Sequence, residues 1–430
     1  MLRCAREHAT LVREQSMKWK GSLPIVWSVW LDYSGLRQLF PSIIRPKLRY
    51  GRPFKQIIPL PGSRWVRVEN LQSGISDEDV TVALTGSLGV FDDALPHASK
   101  LFLGKQSVGV VTEIGSDVSL FHIGDRVALQ SEARSSCASL GLSPACSACA
   151  SGNPALCDHR ALPWNGAGAG WSDSMIMHES QLFPVPEPLT NDQALLLEPA
   201  ARAVRAVLLS GLEPGARALI IGGGLTGQLV AASIRALVPG VDITLASNYS
   251  HEKTAAAAYG VQQFIPETPN EMLAQGIELT NAQVWKRPGK QIFLGGFDRV
   301  FICRSAKKTF ETGCRLVHSG GALAQIARPM NHQQKIDASL WRNEAQILHI
   351  YGPGSETLPD DISDSIGSRS STLALAARHM MKNRLVTDGL ISHKIAHTQF
   401  DQALRIASDI NKFQTIHTAL IFQNPAPAQP

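Results

Sequence analysis

The stretch RALIIGGGLTG, residues 217–227, decides the fold. Residues 217–221 form an apolar run of strand length, and residues that favour a helix follow the glycines. Between the two, Gly222, Gly224 and Gly227 have the spacing G-x-G-x-x-G. Such glycines permit a tight turn, close approach of backbone N–H groups to a pyrophosphate, and packing of the helix on the strand. The sequence therefore predicts a dinucleotide site formed by Gly222, Gly224, Leu225, Thr226 and Gly227.

The end of the second strand of such a unit discriminates NAD from NADP, because a carboxylate there accepts the ribose 2′-hydroxyl. Ala246, Ser247 and Asn248 stand at this place, whereas Asp242 comes too early and Glu252 too late. A small polar site of this kind can accept a 2′-phosphate instead. We therefore predict NADP(H), with NAD(H) as the alternative, and add as cofactor contacts Ser247, Asn248 and Lys253.

The pattern on either side of the glycine loop indicates an α/β chain with two domains. Residues 56–130 contain short β-type runs punctuated by glycine, which is typical of a β-rich domain. From about residue 188 to about residue 350, helix-length segments alternate with short apolar strands, as in a doubly wound parallel sheet. The last eighty residues add two helices and a final strand near residues 417–422.

Composition excludes several other classes of protein. With 44% hydrophobic and 18% charged residues among 430, the chain is typical of a folded globular protein. A net charge of +5, thinly spread, gives no indication of nucleic-acid binding. The longest apolar run near the N-terminus is shorter than the roughly 20 residues that cross a bilayer, and no export signal is evident, so a cytoplasmic protein is predicted. Residues 1–16 are interpreted as an upstream start artefact or a disordered arm.

Four of the seven cysteines lie within twenty-one residues. Cys146, Cys149 and Cys157 share one compact loop, and Cys137 comes nine residues earlier. Four thiolates around a tetrahedral ion leave no open coordination position. The sequence therefore predicts one structural zinc, with four buried thiols as the alternative.

In order and spacing, several motifs resemble those of the zinc-containing medium-chain alcohol dehydrogenases, particularly the threonine and sorbitol dehydrogenase-like branch. The resemblance covers about residues 60–425 and is carried by SGISDEDV (73–80), LGKQSVGVVTEIG (103–115), FHIGDRV (121–127), CSACASGNPALC (146–157), LLLEPAARAV (195–204) and IIGGGLTG (220–227). It implies a GroES-like catalytic domain interrupted by a Rossmann domain, hydride transfer to or from nicotinamide, and a homodimer or homotetramer. We place the catalytic domain at residues 17–198 with a zinc lobe at 131–160, the Rossmann domain at 199–348, and the return to the catalytic domain at 349–430.

Departures from the family pattern fall on the catalytic zinc ligands. Ser76 stands where the family has a cysteine, and Gly104-Lys105-Gln106 replaces its Gly-His-Glu triplet, while Glu198 is kept. A hydroxyl and an ammonium are poor zinc donors, and the ammonium repels the ion, so no catalytic zinc is predicted. In the cysteine loop, Ser143 occupies the family's first cysteine position, and Cys137 substitutes for it.

Without the metal, another group must stabilise charge on the substrate oxygen. Lys105 is the candidate, with Ser76, Glu78 and Glu198 as catalytic neighbours. A Lys105–Glu198 ion pair that merely fills the former metal cavity is the equally weighted alternative. Two functions follow, a zinc-independent NADP(H) oxidoreductase acting on a small molecule, or a nucleotide-binding sensor or scaffold without activity.

Overall fold

The structure is a computed structural model of the 430-residue chain. It describes residues 25–32, 47–49, 54–55, 59–85, 100–130, 136–159, 168–287, 290–306, 308–329, 338–358 and 369–422. The interpretation of residues 1–16 falls outside these ranges.

A mixed sheet is assembled from both ends of the chain. Its strands follow the order β10-β8-β7-β5-β22-β21, with β9 also paired to β5, and only β21 and β22 run parallel. The strands are β5 (Trp65–Ile75), β7 (Ser107–Ile114), β8 (Arg126–Leu129), β9 (Ser174–His178), β10 (Leu182–Pro184), β21 (His393–Ala396) and β22 (Thr418–Ile421). Along β5, the fully buried Val66 and Val68 alternate with partly exposed residues, so one face of the strand packs on the core.

The middle of the chain forms a six-stranded parallel sheet in the order β13-β12-β11-β16-β17-β18. Its strands are β11 (Arg217–Ile221), β12 (Asp242–Ala246), β13 (Gln263–Ile265), β16 (Phe297–Ile302), β17 (Val317–Gln325) and β18 (Gln346–His349). Four consecutive residues of β11 are fully buried, as expected for a strand covered on both faces. The fold class is the predicted one, a β-rich domain and a doubly wound parallel sheet; the exact domain boundaries stay a prediction.

The helices cover both sheets and lie between them. They are α1 (Asp77–Thr85), α2 (Ser147–Ala150), α3 (Asn191–Leu195), α4 (Leu197–Ser210), α5 (Leu225–Leu237), α6 (Ser250–Ala257), α7 (Pro269–Thr280), α8 (Thr309–Arg315), α9 (Ala338–Arg342), α10 (Thr372–Met381), α11 (Phe400–Ser408) and α12 (Ile410–Phe413). Three 3₁₀ turns are Pro154–Leu156, Glu179–Gln181 and His397–Gln399. Within the described ranges, no helix is both long and apolar enough to cross a bilayer.

Helix α4 is buried almost all round and joins the two domains. Alanines and small apolar residues dominate it, which lets α5 and α10 pack closely on it. Gly211, at a φ of 60°, ends the helix in the left-handed conformation. From its middle, the largely buried Arg205 reaches Glu356 at 2.6 Å.

Small antiparallel pairs complete the fold and were not predicted from the sequence. They comprise β1 (Ile25–Val26) with β4 (Phe54–Lys55), β2 (Trp30–Asp32) between β3 (Lys47–Arg49) and β6 (Lys100–Phe102), β14 (Gln283–Arg287) with β15 (Lys290–Leu294), and β19 (Ser355–Thr357) with β20 (Arg369–Ser371). Short strands carry too little periodicity to be recognised singly.

Candidate functional site

The glycine loop lies between β11 and α5, as the sequence predicts. Gly222 has a φ of 97°, a conformation that favours glycine. Gly224 precedes the first residue of α5, so the free N–H groups of the first turn surround it, and Leu225 and Thr226 belong to that turn. A Cβ on Gly227 would fall on the Gly222 carbonyl oxygen. The loop therefore has the geometry that a pyrophosphate requires.

Two glycine-to-alanine substitutions are expected to separate folding from binding. Gly227→Ala should destabilise the fold by about 1–3 kcal/mol, because the added methyl overlaps the backbone of the loop. Gly224→Ala should leave stability nearly unchanged, because its Cβ lies 3.4 Å from Arg304 Nη2, but should weaken dinucleotide binding by filling the approach to the loop. Thermal unfolding and nucleotide titration of both variants check this pair, and equal melting temperatures would contradict it.

A carboxylate from the following helix contacts the residue at the end of the second strand. Glu252, in the first turn of α6, accepts a hydrogen bond from Ser247 Oγ at 2.5 Å and is fully buried. The Glu252 side chain also lies against the loop, 2.7 Å from an ideal Cβ on Gly223. Although Glu252 comes late in the chain, the first turn of the helix brings it back to Ser247.

Arg304, directly after Cys303 at the end of β16, covers this carboxylate. Its guanidinium pairs with Glu252 and, at 2.6 Å, with Glu267. It also lies 5.3 Å from the ring centroid of Tyr249. Burial lowers the pKa of Arg304, but the two carboxylates outweigh it and raise that pKa overall. Arg304 was missed in the sequence, although its place at the carboxyl end of a parallel strand is where ligands bind in such sheets.

The other predicted cofactor contacts lie farther from the loop. Asn248 is exposed, and its Oδ1 accepts a hydrogen bond from the backbone N–H of Glu267 at 2.9 Å. Lys253 is half-buried on α6, next to Glu252 in the chain. Asn248 thus fixes the turn after β13 rather than facing Gly224.

Lys105, the predicted catalytic residue, belongs to a cluster of charged side chains. Lys105 pairs with Glu78, and so does Arg328 from the loop after β17. Lys105 and Glu78 belong to the mixed-sheet domain and Arg328 to the parallel-sheet domain, so Glu78 ties the two domains together. The predicted alternative partner of Lys105, Glu198, instead lies 3.6 Å from Arg202, four residues later in α4.

The charges of Lys105 and Arg328 determine the ionisation state of Glu78. Burial raises the pKa of Glu78, but Lys105 and Arg328 outweigh burial and lower the pKa to about 2. Glu78 is therefore an ionised carboxylate at neutral pH, and it positions the two cations rather than donating a proton.

Ser76 is committed to a helix cap. Its Oγ donates to Asp79 Oδ2 at 2.7 Å and accepts from the backbone N–H of Asp79 at 3.1 Å. Asp79 in turn accepts from the backbone N–H of Ser76, completing a reciprocal capping arrangement at the start of α1. A hydroxyl so engaged is a poor metal ligand. Together with the Lys105 ammonium, it shows that this donor set does not fit a catalytic zinc ion.

Beneath the cluster, Gln106 and His417 form a buried polar pair that the sequence did not reveal. Gln106 Oε1 and His417 Nε2 both approach the position that a Cβ on Gly74 would take. Among the described residues, neither atom has a hydrogen-bond partner. Next to them a narrow pocket runs between the domains, lined by Ile75, Asp77, Gly224, Glu252, His417 and Thr418.

Burial of His417 predicts a pH dependence of stability. Desolvation lowers the pKa of His417 from 6.5 to about 4, so the unfolded chain binds this proton more readily between those values. Stability should be complete above pH 6.5 and fall by about 3 kcal/mol as the pH drops to 4. Chemical unfolding of wild type and His417→Gln over this range tests the contribution of His417. The same pH dependence of the free energy of unfolding in both proteins would contradict it.

The structure brings the four predicted zinc-ligand cysteines together. Their sulfurs all lie within 4.8 Å of one another, with Cys137 and Cys157 at 3.7 Å. Four sulfurs bonded to one zinc ion at 2.3 Å are about 3.8 Å apart, so the cluster fits the ion. Backbone N–H groups of Cys149 and Asp158 lower the pKa of Cys146 to about 6, whereas burial raises the pKa of Cys149 to about 12 and also raises the pKa of Cys157.

Comparison with known proteins agrees with this geometry. Residues 62–187 match the model of the alcohol dehydrogenase GroES-like domain. With the fold and the motifs, this match supports a similarity to the zinc-type medium-chain alcohol dehydrogenases.

The chain is similar in sequence to two named dehydrogenases and in fold to a solved structure. The chain is 26% identical over 269 residues to (R,R)-butanediol dehydrogenase of Saccharomyces cerevisiae, covering 59% of this chain and 67% of the relative. It is 24% identical over 308 residues to sorbitol dehydrogenase of Bacillus subtilis, covering 70% and 80%. The crystal structure of 2R,3R-butanediol dehydrogenase from Bacillus subtilis superposes with a TM-score of 0.66 at 17% identity, over 93% of this chain and all of that one.

Proposed function

We propose that the protein transfers hydride between a nicotinamide dinucleotide and a small alcohol or carbonyl compound without a catalytic zinc ion. The observation that carries this proposal is the Lys105–Glu78–Arg328 cluster, in which Lys105 stands at the place of the histidine in the family's Gly-His-Glu triplet. The names of the relatives point to diols and polyols and the corresponding ketones as the first compounds to test.

The cluster can replace one function of a metal ion. Lys105 and Arg328 supply two positive charges, whereas Glu78 supplies one negative charge. The excess of one positive charge is fixed in place before any substrate binds. Preorganised charge of this kind stabilises negative charge that develops on a substrate oxygen.

In this proposal Lys105 is the catalytic residue. Its ammonium donates a proton to the carbonyl oxygen during reduction, and its amine accepts that proton during oxidation. Glu78 and Arg328 are positioning residues that hold Lys105 in the cleft. The nicotinamide, when bound, carries the hydride; the N–H groups at the start of α5 would hold the pyrophosphate.

The accompanying groups are also part of the proposal. Cys137, Cys146, Cys149 and Cys157 would hold one structural zinc, and the chains would assemble as dimers or tetramers. The residues at the end of β12 taken alone favour NADP(H), whereas the position of Glu252 favours NAD(H).

Turnover and metal content test the proposal together. Purified protein should contain about one zinc per chain and should oxidise or reduce members of a panel of vicinal diols, polyols, hydroxyketones and aldehydes with NADH or NADPH. Two zinc ions per chain, or activity that requires added metal beyond the first zinc, would contradict zinc-independent chemistry.

A nucleotide-binding sensor or scaffold is the second candidate. It is favoured by the Arg304–Glu252 pair, which covers the glycine loop with a buried ion pair. Nucleotide binding without turnover across the whole panel would support it over the oxidoreductase.

A further inference from the structure

We propose that Glu252 selects the unphosphorylated ribose, so that the protein binds NAD(H) in preference to NADP(H). The inference rests on the dinucleotide site of the proposed function and names the residue that sets its specificity. The preference for NAD(H) is measured by nucleotide binding and does not require that the protein turn over a substrate.

The position of the Glu252 carboxylate supports contact with the ribose. Ser247 directly follows β12, where doubly wound folds place the acid that binds the ribose. Its hydroxyl donates to Glu252 Oε2 at 2.5 Å, and Oε1 of the same side chain lies 3.9 Å from an ideal Cβ on Gly224. Glu252 thus supplies from the next helix the carboxylate that the strand end lacks.

The charge around Glu252 disfavours a 2′-phosphate. Glu252 is fully buried, and the Glu267 side chain is only 5% exposed. One cation, Arg304, pairs with both. The three groups together carry an excess of one negative charge, so a 2′-phosphate beside Glu252 would meet repulsion at a site with little solvent. A 2′-hydroxyl instead donates a hydrogen bond to the carboxylate.

Arg304 must turn away from Glu252 when a ribose hydroxyl reaches this carboxylate. The Arg304 side chain is 16% exposed and packs over Tyr249, so it forms the outer cover of the carboxylate. Turning it away from Glu252 leaves its 2.6 Å ion pair with Glu267 intact. Glu252 then keeps its hydrogen bond from Ser247 Oγ and gains one from the ribose hydroxyl, which offsets part of the cost of separating a buried ion pair.

Titration of wild type and variants with NADH and NADPH, followed by nucleotide fluorescence, tests the inference. Wild type should bind NADH at least about tenfold more tightly than NADPH, the difference expected from a hydrogen bond to a charged acceptor. Glu252→Gln keeps the shape and removes the charge, so this ratio should fall about tenfold. Ser247→Ala removes only the hydrogen bond that orients Glu252 and should lower the ratio by less.

Glu356→Gln is the matched control. It also removes a largely buried carboxylate that pairs with an arginine, Arg205 at 2.6 Å, but it leaves Glu252, Glu267 and Arg304 in place, so the NADH-to-NADPH ratio should stay within about threefold of wild type. Thermal unfolding of each variant, with and without nucleotide, shows that the ratios come from folded protein.

The possible outcomes separate this inference from the proposed function. Tighter binding of NADPH by wild type, an unchanged ratio in Glu252→Gln, or an equal shift in Glu356→Gln would overturn the role of Glu252. The expected ratios without any turnover would overturn only the oxidoreductase. Binding of neither nucleotide would overturn both.

Discussion

Replacing Lys105 with methionine is expected to lower kcat by about 10²–10⁴-fold, the usual contribution of a positioned proton donor. Methionine keeps much of the length of the side chain and removes both the charge and the proton. The loss should appear in kcat, measured on whichever member of the diol and ketone panel is turned over, while the affinity for nucleotide stays close to that of wild type.

Lys394→Met is the control for this prediction. Lys394 also forms an ion pair, with Asp192 at 2.6 Å, but it is 47% exposed and lies on β21. Its loss should leave kcat unchanged. If Lys105→Met keeps full activity and changes only thermal stability, Lys105 merely fills the cleft and the proposed mechanism is wrong.

Replacing Cys146 with serine is expected to release the zinc and unfold at least the cysteine lobe. A structural zinc contributes apparent binding free energies of about 10–16 kcal/mol, which is comparable to the whole stability of a typical domain. The variant should contain less than half the zinc of wild type and should melt at a lower temperature or fail to accumulate as soluble protein. Elemental analysis and thermal unfolding measure both effects.

Cys314→Ala provides the matched comparison. Cys314 is fully buried but lies on α8, outside the cysteine cluster. Its substitution removes one buried thiol and should cost about 1 kcal/mol with no loss of zinc. Wild-type protein that is folded and free of zinc, or a Cys146→Ser variant with full zinc content, would contradict the assignment.

The fold could be predicted because its main signals are local. The glycine spacing at residues 222–227, the apolar run of β11 and the helix-length segments after it all lie close together in the chain. Strand β11 has the bounds predicted for the apolar run at residues 217–221, and the strand predicted near residues 417–422 is β22 (Thr418–Ile421).

The site was less predictable because its contacts are distant in sequence. Arg328 meets Glu78 only after the two domains have come together, and no motif marks it. Glu252 was set aside on its distance along the chain, yet one helical turn returns it to Ser247. The role of Ser76 could have been recognised from the Ser-x-x-Asp spacing, which is close to a capping signature.

The pairing of β22 with β5 constrains the order in which the chain can mature during synthesis. Thr418 lies opposite Ile75, and the entire parallel sheet is encoded between them. The ribosome therefore releases the segment that borders β5 last, after the central domain has had time to form. Until then residues 72–75 of β5, beyond the part paired with β9, present an open edge, which is a template for association with other chains. Premature termination before residue 418 would leave that edge permanently exposed, so truncated products should aggregate even though every residue of the glycine loop is present.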